Sequence, residues 1–315
     1  MRRRWFCLCL GIMVAAVVAA ARGERDGRPL EPFRIVGTVH YVGTTELGSY
    51  LVSTGAGHIV IDGGYESTAP AILASIRRLG FDPKDVRVLL TTQAHFDHVG
   101  SLAALAAASG ARVMVMRGDA EVVERGGHRD VLFGDKYTFS PVHVDRVLED
   151  GSTVALGGVT LTAHLTPGHT PGCTTWTLDT EESGRTYHVT FAGSLSVLPE
   201  MRLLREPTYP GIADHFARSL AVMRRLPTDV FLASHAGMFD LEGKIARLRS
   251  GASANPFVDP QGYRDYLDAA ATEIERKTGI PFDHILINSK CCSPFNIFRR
   301  GTDFYCIRPF FKNPG

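Results

Sequence analysis

The sequence predicts an α/β fold in which two β-sheets pack face to face beneath outer helices, and three observations carry that expectation. Each half of the chain places strands first and helices after them. The strands read as short apolar runs bounded by Gly and Asp turns, and the helices collect their apolar residues on one face. A chain of 315 residues that is 44% hydrophobic suffices for one large domain or two small ones. No linker or low-complexity tract divides the halves, so one domain is expected.

The elements follow in order. Residues 33–62 alternate as strands do, with Tyr50, Leu51 and Val52 separated from Ile59, Val60 and Ile61 by the Gly55-Ala56-Gly57 turn. Asp62-Gly63-Gly64 breaks the second strand. A helix is expected next, capped by Ser67 or Thr68, with Pro70 in its first turn, Ile72, Ile76 and Leu79 on one face and Gly80 as its stop. The run 86–90 reads as a buried strand, 93–100 as the loop after it, and Leu102, Leu105 and Ala106 as a helix ending near Gly110. A strand over 111–116 and a short helix over 119–125 close the first half. In the second half, 154–165 reads as a hairpin around Gly157-Gly158, with strands over 174–178 and 188–191. An amphipathic helix over 212–226, a strand over 230–232 and a last helix over about 261–277 follow.

With 34 Lys+Arg against 33 Asp+Glu, the charge offers no electrostatic case for a nucleic-acid or membrane-surface partner. The first residues are a different matter. Arg2, Arg3 and Arg4 precede an apolar run from Trp5 to Ala21 that ends in small residues, the pattern of a secretory signal peptide. We expect 1–21 to be a signal peptide cleaved after Ala21, a mature domain over 22–278, and an atypical tail over 279–315. No later segment has the length or apolarity of a membrane span, so a periplasmic or secreted monomer with no membrane partner is expected. Cys7 and Cys9 leave with the signal. Cys173, Cys291, Cys292 and Cys306 make neither a disulfide framework nor a CxxC metal pair.

The chemistry-bearing residues stand after expected strand ends, in three groups: residues 91–100, around Gln93, His95, Asp97 and His98; residues 166–172, around His169; and residues 233–237, around His235. Loops from strand ends converge on one crevice in such sheets. Neutral imidazoles and a carboxylate are the ligands of a catalytic zinc, which keeps one position open. His95 and His98 need not point the same way, so two adjacent metals could divide them. His40, His58, His128, His143, His164, His188, His215 and His284 lack such framing and read as ordinary surface or core histidines.

The run Gln93-Ala94-His95-Phe96-Asp97-His98 resembles the H-x-H-x-D-H signature of the metallo-β-lactamase superfamily, with its first histidine replaced. The likeness extends through Leu51, the Asp62-Gly63-Gly64 turn, His169 and His235, over roughly residues 34–277. It implies an αββα sandwich. Most of the superfamily places a bridging aspartate where this chain has Ser194, and the chain is therefore similar to subclass B3 of the β-lactamases. In that arrangement Gln93, His95 and His169 would hold a first zinc, and Asp97, His98 and His235 a second, giving one or two Zn²⁺ per chain. Asp97 would also orient the nucleophile, Ser194 would hydrogen-bond near the second zinc, and Ser196 would meet the carboxylate of a small β-lactam substrate. The implied reaction is opening of the lactam amide by a metal-bound hydroxide, conferring resistance. The alternative is an exported zinc hydrolase of another ester, lactone or thioester. An amide oxygen is a weaker zinc ligand than imidazole, so the first site is expected to be the weaker one. Residues 279–315 fall outside the resemblance.

Overall fold

The computed structural model describes residues 27–280 and the backbone of two further strands, Asn296–Arg300 and Asp303–Ile307, which pair antiparallel. The expected signal peptide, Cys291, Cys292 and the rest of the tail lie outside the described residues. Among those described, no helix is long and apolar enough to cross a membrane.

Seven strands form the first sheet in chain order: β1 (Phe33–Val36), β2 (Val39–Tyr41), β3 (Tyr50–Thr54), β4 (Gly57–Ile61), β5 (Val86–Leu90), β6 (Arg112–Met116) and β7 (Arg146–Leu148). The second holds β8 (Thr153–Leu156), β9 (Val159–Leu165), β10 (Thr174–Glu182), β11 (Arg185–Ala192) and β12 (Val230–Ala233), in the order β12-β11-β10-β9-β8. Side chains alternate across a strand, and here both faces of the first sheet are covered. Tyr50, Val52, Ile59, Ile61, Val88 and Leu90 enter the core shared with the second sheet, whereas Leu51, Val60 and Leu89 pack outward. The outer layer on that side is α1 (Ala69–Arg78), α3 (Leu102–Ser109) and α4 (Arg117–Glu124), through Ile72, Ile76, Leu102, Leu105 and Val123. On the other side, α5 (Ile212–Met223) and α7 (Pro260–Thr278) cover the second sheet with Phe216, Leu220, Leu267 and Ile274. The two sheets meet directly where the rings of Tyr50 and Phe191 lie 5.0 Å apart. The expected αββα layering is present.

Several elements differ from expectation. Thr68 does not cap α1; its hydroxyl donates instead to the carbonyls of Gly63, at 2.5 Å, and Tyr65, at 2.7 Å, bracing the turn before the helix. The loop over 93–100 contains a single helical turn, α2 (Phe96–Val99), and α5 stops at Met223 rather than 226. Sequence patterning misses α6 (Leu241–Arg249), which has Gly243 inside it and buries only Leu241, Lys244 and Ile245. Tertiary contacts account for it. The Lys244 ammonium, fully buried, lies 2.9 Å from Asp259 and over the faces of Phe231 and Phe239, a cation–π and ion-pair arrangement that no local periodicity signals. Asp259 in turn caps α7, accepting from the Gly262 amide at 2.8 Å.

Candidate metal centre

The candidate ligands stand just beyond strand ends, and strand register brings those ends to one edge. Parallel pairing aligns Ile61 with Leu90 and Ala192 with Ala233. Antiparallel pairing of Trp176 with Phe191 carries the turn after β9 to the same edge. The first two ligand loops are joined directly, the Thr174 amide donating to the Thr92 carbonyl at 2.7 Å.

Two groups of side chains result. His98 Nε2 lies 3.2 Å from His235 Nε2 and 3.5 Å from Asp97 Oδ2, and His235 Nε2 is 3.6 Å from the same oxygen. One ligand atom from each of these residues fits within 4.8 Å of the others, the spacing of groups that share a cation. In the second group, His95 Nδ1 faces His169 Nε2 at 3.1 Å. Gln93 belongs to the same loop and is fully buried, and among the described residues neither its amide oxygen nor its nitrogen has a hydrogen-bond partner. A buried amide left unpaired costs on the order of 1–3 kcal/mol, and a cation beside it would relieve that cost for the oxygen. Imidazole, carboxylate and amide oxygen are a donor set that fits zinc.

Electrostatics agree with that fit. Burial lowers His95 to about 4, His169 to about 3 and His235 to about 4, so all three are neutral near pH 7, the form that ligates metal. Burial would also lower His98, but Asp97 and Asp62 carry it up to about 10. Asp97 shows the converse: burial opposes its ionisation, yet His98, His235 and His95 hold it well below the usual carboxylate range. A divalent cation at Asp97, His98 and His235 would displace the His98 proton, so binding there weakens as pH falls.

The imidazoles are oriented from behind. His169 Nδ1 donates to the Ser196 carbonyl at 2.8 Å, which leaves its Nε2 lone pair facing His95. Gly168, at φ +141°, lets the chain pass Phe216 so closely that a Cβ there would sit 2.7 Å from the ring. Tyr209 donates to the Gly168 carbonyl at 3.1 Å and Ser219 to that of Pro167 at 2.5 Å, so the His169 turn is held on several sides. His98 Nδ1 turns toward Asp62 Oδ2 at 3.6 Å. Asp62 is itself fixed by the Thr92 amide at 2.7 Å and hydroxyl at 2.6 Å.

Both serines lie on the turn that follows β11. Ser194 is buried, with its hydroxyl accepting from the Ser196 amide at 3.2 Å. The contact that Ser196 makes to the ligand set is through its carbonyl. The turn bearing both is clamped by Tyr266 of α7, whose hydroxyl accepts from the Leu195 amide at 3.0 Å and donates to the Gly193 carbonyl at 3.1 Å.

The sequence marks Asp62 as a strand breaker in the turn that carries the resemblance and Asp119 as the start of a helix, but shows no contact of either with a ligand loop. A carboxylate at the end of a buried strand, before Gly-Gly, was the signal for the first. The aromatic wall beside His95, with Phe133 at 5.0 Å and Phe96 stacked on Tyr137 at 4.4 Å, left no signal in spacing. The other described histidines join neither group. His40 and His58 pack on Phe81, His128 and His143 pair with Asp135 and Glu124, and His188 pairs with Asp179 at 2.7 Å. His164 meets Thr177 and His215 meets Tyr209. His284 lies outside the described residues.

Residues 49–235 match the sequence profile of the Metallo-beta-lactamase superfamily. Among solved structures, the native FEZ-1 metallo-beta-lactamase from Legionella gormanii is 43% identical with a TM-score of 0.77, over 80% of this chain and 98% of that one. The class B3 di-zinc metallo-beta-lactamase LRA-12 from an Alaskan soil metagenome is 37% identical with a TM-score of 0.74, over 79% and 94%. A curated relative, a probable metallo-hydrolase of Burkholderia pseudomallei (strain 1710b), is 29% identical over 51% of this chain, and the match spans 54% of that protein's length.

Proposed function

Because this chain belongs to the metallo-beta-lactamase superfamily, we propose that it is an exported zinc hydrolase that opens the amide bond of β-lactam antibiotics and so confers resistance. The observation that carries the reading is the Asp97, His98 and His235 cluster beside the His95–His169 pair, in a chain similar along nearly the whole length of FEZ-1. The arginine head and apolar run over 1–21 support export.

Gln93, His95 and His169 would hold one zinc and Asp97, His98 and His235 the other. When bound, zinc supplies a Lewis acid and a nucleophile competent at neutral pH. The chain's own groups do the positioning. Asp97, held ionised by the imidazoles around it, would orient an attacking water. The Ser196 carbonyl keeps His169 in one tautomer. Phe133, Phe96 and Tyr137 offer an apolar surface beside the candidate ligands. The Ser196 hydroxyl is assigned to the substrate carboxylate, and Ser194 to the vicinity of the second zinc.

Purified protein should open at least one of a penicillin, a cephalosporin and a carbapenem, followed by loss of ring absorbance. A zinc-loaded protein that turns over none of them, while cleaving a lactone or thioester, would overturn the β-lactamase reading.

Gln93 also yields a test. Gln93→His replaces a neutral amide oxygen by imidazole, better matched to zinc. The first site should then bind zinc about ten-fold or more tightly, by analogy with ligand-shell effects of that size. Native mass spectrometry at controlled free zinc should show higher occupancy confined to that site. Equal affinities in both proteins would mean that Gln93 does not limit binding.

A further inference from the structure

We infer that Asp119, which is no metal ligand, is the positioning residue that sets the spacing between the two loops of the first metal site; this rests on the zinc reading above. Asp119 lies in the first turn of α4 and is buried. Its Oδ2 accepts from the Ala94 amide at 2.8 Å and the Thr170 hydroxyl at 2.7 Å, and its Oδ1 accepts from the Gly172 amide at 2.7 Å. Ala94 stands between Gln93 and His95, and Thr170 follows His169. One carboxylate therefore grips both loops at positions adjacent to the proposed ligands, and the 3.1 Å approach of His95 to His169 is measured across the span it bridges.

The grip is rigid because backbone sets it. A Cβ on Gly172 would fall 2.4 Å from the Asp119 amide nitrogen, and one on Gly118 would fall 2.5 Å from the Pro171 carbonyl. Helix α4 thus meets the His169 turn main chain to main chain, leaving the short Asp119 side chain little freedom. The chemistry is also specific. All three partners are donors, and an ionised carboxylate is acceptor-only with room for them. An isosteric amide would turn an N–H₂ group toward at least one of those donors. Asp62 stands behind His98 of the second group but also holds Thr92, beside Gln93, so it is not confined to one group as Asp119 is.

Zinc titration of the full-length protein, followed by native mass spectrometry and by thermal melting, separates positioning from plain bracing. Asp119→Asn should weaken the first zinc by about 10–100-fold, the size of outer-shell effects, and leave the second unchanged. Asp62→Asn, which alters the contact behind His98, should by contrast weaken the second zinc. A role in bracing alone would lower the melting temperature without selecting one zinc. If Asp119→Asn fails to fold, Thr170→Val, which removes one of the three donors without changing charge, should show the same selectivity at smaller size. Wild-type affinity at both sites, or equal loss at both, overturns the assignment. Wild-type protein that binds no zinc overturns the metal reading itself, and this inference with it.

Discussion

Chelation of zinc from the purified protein should abolish β-lactam hydrolysis, and added zinc should restore it. A single oxyanion-stabilising donor is worth about 10²–10³ in turnover; a metal that supplies both the nucleophile and the charge sink should be worth more. Among the described residues, no other group in the crevice substitutes for it. His95, His169 and His235 are neutral and Asp97 is a very weak base, while the Cys173 thiol is buried and pushed above its usual range by that burial. The fold should survive, since both hydrophobic clusters are built from apolar side chains that do not depend on a metal. Circular dichroism should therefore change little while the rate collapses. Metal should also be stripped more easily at low pH, where protons compete for His98 and the other imidazoles. Full turnover in protein with no detectable zinc would end the metallohydrolase reading.

Trp176→Ala should be the most damaging core substitution. Trp176 lies fully buried on β10, and its indole nitrogen donates to the Thr91 carbonyl at 3.0 Å, at the root of the first ligand loop. Truncating a buried tryptophan costs about 3–5 kcal/mol, and leaving the Thr91 carbonyl unpaired adds on the order of 1–3 kcal/mol unless water reaches it. For a domain of this size the packing loss alone corresponds to a fall in melting temperature of about 6–20 °C. Trp176→Phe keeps most of the packing and should lose much less. Calorimetry on both decides the matter: a drop of only a degree or two for the alanine variant would show that the sheets do not depend on this contact.

Much of the site was legible because its signals are local. His95, Asp97 and His98 fall within one short loop, and His169 and His235 are each framed by Gly or Pro near a strand end. Strand ends are themselves readable from the switch between apolar runs and turn residues. Residue types at short spacing thus carried the layered α/β architecture and pointed to the candidate ligand loops, while the resemblance supplied the ligand set. The helix over Leu241–Arg249 was not legible, because what holds it is a buried lysine facing Asp259 and aromatic rings from elsewhere in the chain.

Local signals in the sequence suffice for the layered fold and for naming candidate ligands, since apolar periodicity and turn residues act over a few positions. How the candidate ligands are held depends on tertiary packing. His95 meets His169 from 74 positions away, Asp119 reaches Ala94 across 25 and Gly172 across 53, and the Ser196 carbonyl accepts from His169 across 27. Hydrogen-bond partners so distant in the chain are chosen by sheet register and by the close packing of helices on it. Neither leaves a trace in local spacing.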